Sequence, residues 1–213
     1  MSDVSVFKKT MLLPAWSRPF VHTDFSELKT ELVRKSIHFL IALTPSIASL
    51  NRPLTVALLM AGTLFYAGAE SLRLSGTTVP LISQITNMAS RSRDRGRFVL
   101  GPVTLGLGAM LALLLYPSPA ASIAIYAMAF GDGLAGLVGK FFGRIRPAIM
   151  LGKSVEGSLA CFIAVFTAAY AVTSSYRIAF TAAFTATLTE ALPLRDYDNL
   201  VLPLITGFSV MLL

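Results

Sequence analysis

Residues 119–141 read PAASIAIYAMAFGDGLAGLVGKF, an apolar run that carries one carboxylate, Asp132, well inside it. A helix crossing a bilayer needs about 20 such residues, and this run supplies them. Asp132 sits about nine residues, roughly 13 Å of helical rise, from the end that carries Lys140. An ionisable group at that depth is costly unless something pairs with it, and it marks a functional site by default. One stretch therefore sets two expectations, a membrane-spanning helix and a polar site built around Asp132.

Six further apolar runs lie outward from it, at 36–50, 54–72, 98–116, 156–175, 177–190 and 199–213. The fold expected is all-α, a polytopic membrane protein of about seven transmembrane helices. The first, sixth and last runs are short, so six spans with one re-entrant segment is the neighbouring solution. The stretch 78–89 mixes apolar residues with Ser, Gln, Thr and Asn and reads as an interfacial helix, as does Val4–Trp16. Composition agrees: 54% of the 213 residues are hydrophobic and only 14% are charged, and the mean hydropathy of +0.69 is too high for a soluble domain of this length. The first 35 residues are mixed and polar, carry six Lys or Arg and lack a cleavable apolar core. They form an N-terminal arm, and residues 36–213 form one transmembrane domain.

Basic residues orient the spans, because Lys and Arg concentrate in cytoplasmic loops. With the N terminus inside, the arm contributes Lys8, Lys9, Arg18, Lys29, Arg34 and Lys35. The loop after the second span adds Arg73, Arg91, Arg93, Arg95 and Arg97, the next adds Lys140, Arg144, Arg146 and Lys153, and Arg195 follows. Only Arg52 and Arg177 fall on the other side. All eleven carboxylates, Asp3 to Asp198, also belong to the cytoplasmic side or to spans near it. The topology rule does not require that of acidic residues, whereas an active site on one face does. The net charge of +7 is spread between apolar runs rather than over a soluble face, which points to anionic head groups or phosphates and away from nucleic acid. The single cysteine, Cys161, lies in an apolar run and reads as small helix filler.

Four constellations carry chemistry. In ELVRKSIH, residues 31–38, the spacing places Glu31, Arg34, Lys35 and His38 on one helical face. The plain alternative is a snorkelling basic collar, which leaves His38 unexplained. In FGDGLAGLVGKFFGR, residues 130–144, Gly131, Gly133, Gly136, Gly139 and Gly143 leave room for a neighbouring helix or for a phosphate to approach the backbone. In LGKSVEGS, residues 151–158, Gly152, Lys153 and Ser154 resemble the end of a phosphate-binding loop. Pro147 stands where that loop requires glycine, so it is not a Walker loop. A flexible glycine, an ammonium and a hydroxyl at a helix N terminus still suit a triphosphate, with Glu156 holding Mg²⁺ or orienting Lys153; an ordinary helix cap is the alternative. In TEALPLRDYDNLVLPL, residues 189–204, Glu190, Asp196, Asp198 and Asn199 cluster as hard oxygen donors, which favour Mg²⁺ arriving with phosphates. Glu70 with Arg73 reads as a helix-end ion pair, and the arginines at 91–97 as a topology anchor or a lipid-phosphate patch.

The order and spacing of these motifs resemble the CTP-dependent polyprenol kinase family. That family comprises dolichol, phytol and farnesol kinases and the fungal-type CTP-dependent diacylglycerol kinase, distantly akin to phosphatidate cytidylyltransferases. The resemblance rests on E-L-x-R-K-x-x-H at 31–38, G-D-x-x-A-x-x-x-G-K-x-x-G at 131–143, G-K-S-x-E-G at 152–157 and D-N-x-x-x-P at 198–203. It implies transfer of the γ-phosphoryl group of CTP to a lipid hydroxyl at the cytoplasmic face of a membrane, the inner membrane in a bacterium. By that resemblance Asp132, Lys153, Glu156, Asp198 and His38 are catalytic, with Mg²⁺ on Asp132, Glu156 and Asp198. Arg34, Lys35, Lys140, Gly152, Lys153, Ser154 and Asn199 would bind the nucleotide. The chain is shorter than the larger dolichol kinases, which favours a shorter prenol or diacylglycerol as acceptor. Two other readings stay open: a cytidylyltransferase acting on phosphatidate, and a small transporter coupled through Asp132 and Glu190.

Overall fold

The computed structural model describes residues 25–213 apart from 78, 81, 91–93, 95 and 151, and every regular element among them is helical. The interfacial helix expected at Val4–Trp16, most of the N-terminal arm and the arginines Arg91, Arg93 and Arg95 lie outside the described residues. In chain order the helices are α1 (Phe25–Leu40), which passes through a 3₁₀ turn at Ile41–Leu43 into α2 (Thr44–Leu50); α3 (Arg52–Leu74); α4 (Ile82–Ala89); α5 (Gly101–Leu115); α6 (Ala120–Tyr126); α7 (Gly133–Phe141); α8 (Val155–Thr173); α9 (Tyr176–Glu190); and α10 (Asp198–Met211). Between α6 and α7 the chain winds through a wide, π-type turn over Ala127–Asp132 without leaving the helical path.

Three helical stretches are long and apolar enough to cross a membrane: Arg52–Leu74, Ala120–Phe141 and Val155–Thr173. The middle one is the axis of the bundle, because 61% of its most apolar window is buried inside the protein, against 17% and 22% for the other two. It packs Ile123, Ile125 and Met128 against Leu105 of α5, Cys161 and Val165 of α8 and Leu202 of α10. The outer helices turn Leu58, Leu64, Phe65, Ile163, Phe180 and Phe208 outward. So many large apolar side chains on the exterior suit hydrocarbon rather than water as the surrounding solvent.

Local chemistry sets the ends of these helices. The Asn51 side chain caps α3 by accepting the Leu54 N–H at 3.0 Å, with Pro53 in the first turn where its missing N–H is harmless. Ser154 caps α8 through the Gly157 N–H at 3.1 Å, and Ser175 caps α9 through the Ile178 N–H at 3.4 Å. Within α10, Pro203 cannot donate to the carbonyl of Asn199 four residues back. That carbonyl lies against Gly108 of α5, where any Cβ would overlap it. The segment 78–89 contains the expected helix, α4. The first apolar run, 36–50, is instead divided: α1 begins eleven residues earlier, at Phe25, and the run breaks at the 3₁₀ turn before Pro45. Pro45 has no N–H to give the Ile41 carbonyl four residues back, and that carbonyl accepts the Thr44 N–H of the tighter turn instead.

Candidate functional site

The wide turn brings Asp132 to the start of α7 facing α1. There the Lys35 ammonium donates to the Asp132 carboxylate at 2.6 Å and to the Asp132 backbone carbonyl at 2.8 Å. Nε2 of His38, one turn further along α1, lies 3.1 Å from the same carboxylate oxygen and 2.9 Å from Oδ1 of Asn199. The Asn199 amide nitrogen donates to Thr104 Oγ1 at 3.0 Å and to the Gly101 carbonyl at 3.3 Å. A polar chain thus crosses the bundle from α1 through α7 and α10 to α5. Lys35 is 1% exposed and Asp132 7%. A lysine so enclosed is tolerated because it makes two charge-assisted contacts with one partner. Gly136 makes room for it, since a Cβ there would stand 2.6 Å from Lys35 Cε.

A cavity of about 670 Å³ opens beside this pair, within the size range of small-molecule sites. Its wall carries Glu31, Arg34, Lys35, Asp132, Lys140, Arg146, Lys153, Glu190, Arg195 and Asp198, together with Gly136, Gly139, Gly152, Ser154 and Gly157. Lys153 is held by α9: its ammonium lies 2.9 Å from the Glu190 carboxylate and bonds the Glu190 carbonyl. The other Glu190 carboxylate oxygen accepts from Ser158 at 3.2 Å. On the opposite wall Arg34 pairs with Glu31 at 2.6 Å. Arg146 donates to the carbonyls of Gly152 at 2.5 Å and Gly139 at 2.6 Å, tying the loop ahead of α8 to α7. Gly152 there has a φ of +98°, a conformation that favours glycine. Asp198 stands one residue before the apolar run 199–213 and is half-buried. Burial, and secondly the Asp132 carboxylate, push its carboxyl up to about 7.

Of the eleven residues to which the resemblance gives a catalytic, metal or nucleotide role, the cavity gathers Arg34, Lys35, Asp132, Lys140, Gly152, Lys153, Ser154 and Asp198. Three sit elsewhere. Glu156 is turned to the loop, where its carboxylate accepts the backbone N–H groups of Arg144 at 3.0 Å and Ile145 at 3.1 Å. Asn199 is spent on His38, Thr104 and Gly101. His38 faces both Asp132 and a neighbouring apolar cavity. The Gly131, Gly133 and Gly139 positions serve close packing: a Cβ on them would press on Val165, Phe39 and Ser154 respectively. Arg146 and Thr104 belong to the site although their residue types gave no warning, Arg146 having read only as a topology marker.

Mg²⁺ is usually held by one or two carboxylates plus substrate phosphates and water, not by a closed protein cage. The donor set fits that habit. No cluster of three or more His, Cys, Asp or Glu poised for a metal occurs among the described residues, while Asp132 and Asp198 both border the open cavity. Glu156 is not brought together with them. No protein-family model, curated protein or solved structure matches this chain.

Proposed function

We propose that the protein is a membrane-embedded lipid kinase that moves the γ-phosphoryl group of CTP to the hydroxyl of a lipid alcohol. The observation that carries this reading is the polar cavity, where six cationic side chains and four carboxylates meet beside an apolar cavity that shares Arg34. Phosphoryl transfer asks little covalent chemistry of a protein. It asks for cations around the phosphates and a carboxylate near the attacking oxygen. Lys140, Lys153, Arg146 and Arg195 surround space of a size suited to a triphosphate, and Lys35 and Arg34 stand on the α1 side. Asp132 and Asp198 would share a Mg²⁺ brought in by the nucleotide, which would neutralise charge developing on the phosphate oxygens.

In the transfer, the bond from the γ-phosphorus to the oxygen bridging it to the β-phosphorus breaks, and a bond to the lipid oxygen forms. CDP leaves, and the hydroxyl proton passes to a carboxylate. Seven spans with the N terminus and the cavity on the cytoplasmic side complete the proposal, supported by the basic residues that ring the cavity and the apolar exterior of the bundle.

Purified protein in liposomes with Mg²⁺, γ-labelled CTP and a panel of phytol, farnesol, geranylgeraniol, diacylglycerol and phosphatidate tests it. Label in a lipid phosphate is the expected outcome. Label in pyrophosphate with phosphatidate consumed would replace the kinase with a cytidylyltransferase, and no transfer to any acceptor would refute both.

A further inference from the structure

A second, mostly apolar cavity, of about 260 Å³, borders Arg34 and is walled by Ile37 of α1, Ile82 and Ile85 of α4, and Val99 and Leu105 at the start of α5, with Asp94 and Asp196 also on its wall. Arg34 borders both cavities, so the two meet at a guanidinium. From this chamber a groove of about 300 Å³ leads along the bundle between α1, α3 and α5. Chamber and groove share Ile37, Tyr66, Pro102 and Leu105 and therefore lie side by side. Tyr66, Gly62 and Leu58 line the groove at successive turns of α3, which gives it roughly 12 Å of length. At its margins Leu40 and Leu58 are mostly exposed, on the apolar exterior. Polar space, guanidinium, apolar chamber and apolar groove follow one another in that order.

We propose that chamber and groove hold the hydrocarbon chain of a linear, single-chain lipid alcohol, its hydroxyl at Arg34 and His38 and its tail leaving sideways into the bilayer between α1 and α3. The position of the hydroxyl rests on the kinase reading; the chain site rests on the cavities. The occupant follows from the sequence of environments, which is that of an amphiphile with one polar end and one long apolar end. The groove beside the chamber runs between single helices, α1, α3 and α5, and suits one chain. Gly62 keeps it open: a Cβ at Gly62 meets nothing within 4 Å, so a larger side chain there projects into the groove without disturbing a neighbouring helix.

The test uses the full chain in nanodiscs with a geranylgeraniol bearing a photoreactive diazirine at its tail, cross-linked peptides being mapped by mass spectrometry. Adducts are expected on the α1, α3 and α5 residues that border the groove, displaced by excess phytol and not by dioleoylglycerol. Gly62→Leu is expected to reduce those adducts about tenfold or more, the usual consequence of a misplaced methylene group in an apolar pocket. Gly68→Leu is the control, because Gly68 lies on α3 outside the groove and a Cβ there also meets nothing within 4 Å. Adducts spread over the whole apolar exterior, insensitivity to Gly62→Leu, or equal displacement by dioleoylglycerol would overturn the proposal. Specific adducts without phosphoryl transfer in the labelled-CTP assay would refute the kinase reading and leave the chain site standing.

Discussion

Replacing Lys35 by Met leaves the Asp132 carboxylate enclosed with His38 at 3.1 Å as its remaining side-chain partner. Breaking a buried ion pair from one side costs about 3–5 kcal/mol, because the orphaned charge keeps its desolvation penalty and loses its compensation. The retained His38 contact places Lys35→Met at the lower end, about 3 kcal/mol, on the order of a hundredfold in the folding equilibrium. Asp132→Asn strands the ammonium in the same way and belongs in the same range. In the double variant neither charge remains, so the two losses do not add, and a coupling of about 2 kcal/mol is expected for groups in direct contact. Unfolding of the four proteins in mixed micelles with increasing SDS measures the cycle. Coupling below about 0.5 kcal/mol, or single variants as stable as the parent, would refute the claim that the pair holds α1 to the central helix.

Glu156 offers a sharper discrimination. Its carboxylate accepts backbone N–H groups, an acceptor role that Gln reproduces, so Glu156→Gln should keep most of the transfer rate while Glu156→Ala loses about 0.5–1.5 kcal/mol of stability, since the freed N–H groups reach water; a dead but folded Glu156→Gln would make it a metal ligand instead. Gly136→Val should displace Lys35, whose Cε a Cβ would approach to 2.6 Å, and cut turnover with labelled CTP, whereas Gly68→Ala should match or exceed the parent in stability by up to about 1 kcal/mol. Lys153→Ala should abolish transfer while the protein still inserts and elutes as the parent does in size-exclusion chromatography, and full activity would remove Lys153 from the site.

Much of the site was legible because polar groups in apolar runs are costly, and cost is visible in composition. Asp132 stood out for that reason, while Lys35, Lys153 and Asp198 stood out through helical spacing, a Gly-Lys-Ser triplet and a cluster of oxygen donors, and the cavity collects all four. Their partners were not legible. Lys35 meets a residue 97 positions away and Lys153 one 37 positions away, and neither separation follows from local periodicity. Glu156 was read as a ligand because its type and its neighbours Gly152, Lys153 and Ser154 suggested phosphate chemistry. The competing demand came from two backbone N–H groups at Arg144 and Ile145, which no residue type announces. The glycines of 131–143 left packing and phosphate approach undecided, since absent side chains look the same for both. Helix ends followed their capping residues at Asn51, Ser154 and Ser175, while the break after Leu40 shows how an uninterrupted apolar run conceals a change of winding.

The wide turn at Ala127–Asp132 has a consequence for the helix as a rotary element. Each α-helical residue turns the chain by about 100°, so a π-type turn, which accommodates an extra residue in one winding, resets the angular phase between Ala120–Tyr126 and Gly133–Phe141. The first half therefore shows its large side chains to the core, while the second shows its glycines to Lys35 and Ser154, although both lie on one axis. Deleting a single residue from the turn would restore the regular pitch and swing one half against the other by about a quarter revolution. The bundle would keep its length and its hydrophobicity, and Asp132 would face a different neighbour.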